Sequence, residues 1–181
     1  MQNNKLIQLV LSVSLLVFQH QLSYSVDRGM EQLCISHLFH LEKYHQIPKG
    51  LLFAIAQTES GRKISSSRST VPWPWTVNVK GKAVYFSTKE QAITEVRRLL
   101  KQGIRNIDIG CMQINYQHHG HHFPSLLHMI DPKQNIAYAA KFLKNLHKEH
   151  GSWTKAVGRY HSAIPEHQLP YKKKVYTIWQ R

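Results

Sequence analysis

The chain has 181 residues, a length that suggests one domain and at most a small appendage. Lysine and arginine number 24 against 10 aspartates and glutamates, a formal charge of +14, so the surface either meets an anionic partner or is simply basic and soluble. Nucleic acid has only this charge in its favour, because no recognisable nucleic-acid-binding motif is present.

Lys5 followed by the apolar run Leu6 to Phe18 is the pattern of a secretory leader, with Ser23 and Ser25 as small residues before a cleavage point. Residues 1–25 are therefore expected to be a signal peptide and residues 26–181 a single domain. The run falls short of the roughly 20 residues that a membrane-spanning helix needs, although an uncleaved anchor is the alternative. No later stretch is long and apolar enough to cross a bilayer, so no stable membrane insertion is expected once the leader is removed. A periplasmic or secreted protein rarely meets nucleic acid; a cell-wall polymer or lipid surface is the better anionic partner. Cys34 and Cys111 are an even pair in an exported chain, either one disulfide or two buried thiols.

Met30, Leu33, Cys34, His37, Leu38, Leu41 and Tyr44 recur at helical spacing and predict an amphipathic helix over Asp27–His45. Ile47-Pro48 breaks it, and Pro48 suits the first position of a second helix reaching Ser60. That helix is apolar nearly all round and so is expected to be buried, with Gly61 at its end. The polar, serine-rich residues 61–71 read as a loop. TVNVKGKAVYF then predicts a hairpin whose two β-favouring runs flank Lys80-Gly81-Lys82. Thr88 caps a helix with Ala92, Ile93, Val96 and Leu99 inward, stopped at Gly103. IDIGCMQIN, residues 107–115, is a compact apolar stretch around a glycine. Asp131-Pro132 starts a further helix ending at Gly151, Ser152 caps another, and a last basic helix is expected over Pro170–Trp179. The fold class is mainly α (α+β), a helical domain with one small β-hairpin.

Glu59 is out of character in this basic chain. It follows an apolar helix, where desolvation disfavours its charge, and lies in the last turn, where the helix's partial negative end does the same. Both effects hold a carboxylic acid protonated near neutral pH, the state a proton donor needs. Arg62 and Lys63 oppose them, and the plain alternative is a surface glutamate at a frayed helix end.

ES at 59–60, GCMQIN at 110–115, AAKFL at 139–143 and AVGRYHS at 156–162 occur in a telling order. They resemble the ES, GLMQ, A-x-x-x-L and AYNAG motifs of lytic transglycosylases of the SLT type, in the lysozyme-like superfamily. VPWPWTVN and IDIGCMQIN resemble the secreted bacterial branch, some members of which assist secretion or conjugation machines. The likeness covers roughly residues 34–178 and implies a lysozyme-like fold. It also implies an enzyme that cleaves the β-1,4 bond between N-acetylmuramic acid and N-acetylglucosamine in peptidoglycan; a monomer without a cofactor is expected.

By that resemblance Glu59 is the single catalytic acid. It protonates the leaving oxygen, then takes a proton from the muramoyl C6 hydroxyl, which closes on the anomeric carbon to give a 1,6-anhydro end. Ser60, Gln113 and Asn115 match positions along the glycan groove. Tyr160 matches the AYNAG tyrosine, whose hydroxyl reaches towards the acid. Cys111 replaces the leucine of GLMQ, which favours a tie to Cys34, and His161 replaces the AYNAG asparagine. Trp73, Trp75 and Asn78 lie in the tryptophan-rich insert and either face sugar rings or pack the hairpin. No second acid has a matching motif; Asp108 is nearest. His118, His119, His121 and His122 are too close together to surround one ion easily, so a solvated loop is expected and no metal. The alternatives to a transglycosylase are a hydrolytic muramidase and a non-catalytic glycan-binding component of a secretion apparatus.

Overall fold

The computed structural model describes residues 29–30, 32–64 and 69–180. The expected leader and the expected start of the first helix at Asp27 lie outside the described residues.

Residues 29–30 and 32–45 belong to the first helix, α1, which buries Cys34 and Leu38 and leaves Tyr44 exposed. Helix α2, Leu51–Ser60, begins three residues after the expected Pro48. The reason is a buried carboxylate that the sequence did not single out. Glu42 of α1 accepts from the backbone N–H groups of Gly50 and Leu52, both at 2.8 Å, and Phe53 at 3.2 Å. These are the donors that a helix start leaves without an internal partner, and an anion also suits that end of the helix dipole. Leu51, Leu52, Ala54, Ile55 and Ala56 are all buried, as an all-round apolar helix requires.

The expected loop after α2 is partly β structure. Strand β1, Gly61–Lys63, pairs antiparallel with β2, Thr70–Pro72. Gly61 ends α2 with extended backbone; a side chain there would come within 2.3 Å of the Gln57 carbonyl and 2.8 Å of Thr70, so close packing selects glycine. Polar composition concealed these strands because pairing, not burial of alternate residues, defines them.

The expected hairpin is present as β3, Thr76–Val79, and β4, Lys82–Tyr85, turning through Lys80 and Gly81 at φ 52° and 78°. It is not a separate insert. The IDIGCMQIN stretch supplies β5, Asp108–Ile109, and β6, Ile114–Asn115, and the four form one antiparallel sheet in the order β4-β3-β5-β6.

Between them runs α3, Lys89–Lys101, capped by Thr88 accepting from the Gln91 N–H. The histidine-rich segment folds as α4, Tyr116–His119, and a 3-10 turn over Gly120–His122, followed by α5, Leu126–Ile130. Asp131 and Ser152 cap α6, Pro132–His150, and α7, Trp153–His161, and Gly151 separates them at φ 74°. The last helix, α8, spans Pro165–Trp179 and starts five residues before the expected Pro170, which sits inside it. Pro165 takes the first-turn position where proline's missing N–H costs nothing. Helix α2 packs against α8 and β2, α6 against α7, and α7 against α8, which places the end of α2 between the sheet and the C-terminal helices.

Candidate active site

The turn between β5 and β6 is held from every side. Gly110 has φ 84°, and a β-carbon there would press within 2.8 Å of the Asn135 amide. Asn135, wholly buried on α6, accepts from Met112 N–H at 2.9 Å and donates to the carbonyls of Ile109 and Met129 at 3.0 and 2.9 Å. Cys111 is disulfide-bonded to Cys34, with 6.0 Å between their α-carbons, which ties α1 to this turn. Ser60, also wholly buried, donates from its hydroxyl to Cys111 O at 2.7 Å and joins the end of α2 to it.

Glu59 therefore stands at a rigid junction, half-buried on the edge of a cleft of about 710 Å³. Asn78, Asp108, Gln113, Asn115, Tyr160 and His161 line the same cleft. Burial is the largest influence on the Glu59 carboxyl and, with the nearby Asp108, pushes its pKa up to about 7; a hydrogen bond from Tyr171 and the charge of Lys174 pull the other way. Asp108 is itself raised, chiefly by burial, although Asn115 donates to it at 2.8 Å.

Tyr171 is the residue that sequence reasoning missed. Its hydroxyl donates to Glu59 Oε1 at 2.6 Å, and burial holds that hydroxyl well above its ordinary pKa, so it remains a donor. The His161 ring stacks on it at 4.2 Å with 4° between planes. Tyr160 differs from expectation. Its hydroxyl donates to Met112 O at 2.9 Å, so it braces the turn while its ring lines the cleft. The exchange follows from packing: α8 lies on α2 and brings Tyr171 to the acid, whereas α7 lies over the 110–113 turn. The only signal for Tyr171 was an aromatic among basic residues on the last helix, and that equally suits a core contact.

Two expected contact residues lie elsewhere. Ser60 is beneath the cleft, and Trp75 is 6% exposed, with its indole N–H on Met30 Sδ. Trp73 is likewise buried, its indole N–H donating to Phe86 O at 2.7 Å. Both tryptophans pack the sheet, and neither lines the cleft.

Gln113, at φ 46°, donates its amide to Gly110 O and Thr76 O at 3.0 and 3.2 Å. Its Oε1 and the Oδ1 of Asn78 are buried without a hydrogen-bond partner. Two such acceptors beside one cleft are matched to a ligand that brings donors, such as hydroxyl or acetamido N–H groups. His118 and His119 also line the cleft, with His119 Nδ1 2.8 Å from the Tyr138 hydroxyl. Among the described residues no three His, Cys, Asp or Glu side chains are grouped to hold a metal ion, and no helix is long and apolar enough to cross a membrane.

A mainly α fold with small sheets and an elevated-pKa glutamate at the end of its central buried helix defines the lysozyme-like class. Within that class the chain matches the transglycosylase SLT domain over residues 36–177 and belongs to that family. No curated protein and no solved structure matches it. The family acts on peptidoglycan, outside the cytoplasm, by transglycosylase chemistry.

Proposed function

We propose that this protein is a lytic transglycosylase that cleaves the MurNAc-β-1,4-GlcNAc bond with Glu59 as its single acid and base. The observation that carries the reading is the cleft-edge carboxyl of Glu59, raised to about 7 by burial and held at one oxygen by Tyr171. With Oε1 engaged, Oε2 is left to carry and deliver the proton. In the first step that proton passes to the glycosidic oxygen and the C1–O bond breaks, with the substrate's own acetamido group taking the part of a second carboxylate. The resulting carboxylate then accepts the proton of the muramoyl C6 hydroxyl as the hydroxyl oxygen bonds to C1 and displaces the acetamido oxygen from it. The acid is regenerated, and the product end is a 1,6-anhydro sugar with no water consumed. Asn78 and Gln113 offer their unpartnered carbonyls to sugar hydroxyl or acetamido donors.

Export by a cleaved leader over residues 1–25 fits this substrate and the Cys34–Cys111 disulfide. We assign the chain to the periplasm or exterior as a monomer, and a secretion or conjugation apparatus that must pass through the wall is the partner its chemistry would serve.

Asp108 supports one second reading. A partly buried carboxylate in the same cleft is suited to activate a water, which would make the enzyme a hydrolytic muramidase. Digestion of purified sacculi with wild type, Glu59→Gln and Asp108→Asn, with mass analysis of the products, separates these. Anhydro ends from wild type and from Asp108→Asn, with no release by Glu59→Gln, are expected. Products heavier by one water would favour hydrolysis, and an active Glu59→Gln would remove the proposed acid.

A further inference from the structure

One wall of the cleft carries a cation that the chemistry at Glu59 does not use. Arg159 lies in the last turn of α7, is exposed, and lines the cleft beside Tyr160. Its Nη1 donates to Ala163 O at 3.0 Å, which folds the guanidinium against the wall formed by residues 162–164. No described carboxylate pairs with it, so its remaining N–H donors are open to a ligand. The basic side chains that act on Glu59 and Asp108 are Lys174 and His118, respectively. Arg159 shares the cleft with Glu59 without an ion pair to it.

A neutral glycan gives such a group little to bind. The planar fork of a guanidinium matches a carboxylate, which accepts two parallel hydrogen bonds. Ile164, 51% exposed on the same wall, adds an apolar shoulder suited to short alkyl side chains rather than to sugar hydroxyls. Peptidoglycan carries both features next to its cleavable bond, because each muramic acid bears through its lactyl ether a short peptide of small apolar residues and free carboxylates. Resting on the peptidoglycan reading above, we propose that Arg159 is the carboxylate-binding arm of this cleft and that the substrate is glycan still bearing its stem peptide, in preference to stripped strands.

The test compares a disaccharide-peptide with the same disaccharide lacking the peptide, by calorimetric titration of Glu59→Gln and of Glu59→Gln/Arg159→Gln. The glutamine amide can still donate to Ala163 O, so the wall is retained while the charge is lost. The preference for the peptide-bearing ligand is expected to fall about tenfold, the size of one charge-assisted hydrogen bond at a partly wet site. Arg159→Lys, which keeps charge without the fork, is expected to retain part of the preference. Equal weakening of both ligands, or no weakening of either, would overturn the proposal. Because binding is read in an inactive background, it does not depend on whether cleavage gives anhydro or hydrolysed ends. Failure of the transglycosylase reading appears in product mass, and failure of this one in peptide dependence.

Discussion

Replacing Glu59 with glutamine should stabilise the fold at alkaline pH and change it little in acid. The carboxyl ionises near its ordinary 4.5 in the unfolded chain and at about 7 in the folded cleft. Between those values the folded state binds more protons than the unfolded one, so stability falls as pH rises. Above about 7 the whole penalty is present, and below 4.5 it vanishes. A shift of that size corresponds to about 3 kcal/mol. Glu59 is only half-buried, and solvent in the cleft mouth screens part of this, so a gain of about 1–3 kcal/mol at pH 8.5 is expected. Glutamine keeps the shape and still accepts the Tyr171 hydroxyl at its carbonyl. Urea unfolding of both proteins at pH 4 and pH 8.5 measures the effect as the difference of their free-energy differences. Parallel pH profiles would mean that Glu59 is well solvated, and the argument for it as a neutral-pH proton donor would fail.

Tyr171→Phe removes a hydrogen bond that lowers the Glu59 pKa, so the alkaline limb of the pH–rate profile should move to higher pH; kcat should fall about tenfold from lost orientation, with KM nearly unchanged. Replacing both Cys34 and Cys111 with serine opens a loop closed across 77 positions and should cost about 4 kcal/mol in thermal or urea unfolding, with the wild type matching the variant under reductant. Asn135→Ala leaves Met112 N–H and the carbonyls of Ile109 and Met129 without their buried partner, and should cost about 2–4 kcal/mol in urea unfolding while lowering activity through the loosened 110–113 turn.

The elements legible in the sequence are those whose signals are local. Helix α3 announces itself through Thr88 and an apolar face, and α6 and α7 through Asp131, Gly151 and Ser152. The β3–β4 turn needs left-handed backbone at Lys80 and Gly81, and glycine marks it. The short strands β1 and β2 were hidden in a serine-rich stretch because each exists only by pairing with the other. The start of α8 was misread because Pro170 resembles a helix boundary, whereas Pro165 is the residue that occupies it.

The sequence by itself determined the buried helix ending in Glu59, the motif order that marks the family, and the candidate cleft residues Asn78, Gln113, Asn115, Tyr160 and His161. Apolar periodicity, caps and short motifs are carried by neighbouring residues, so they survive without coordinates. Tertiary structure alone decided which tyrosine hydrogen-bonds Glu59, that Trp75 and Ser60 are buried away from the cleft, and that Glu42 starts the helix on which Glu59 stands. Those facts depend on contacts between residues as far apart as 59 and 171. Only helix packing brings such residues within hydrogen-bond distance, and burial of the resulting junction is what raises the Glu59 carboxyl.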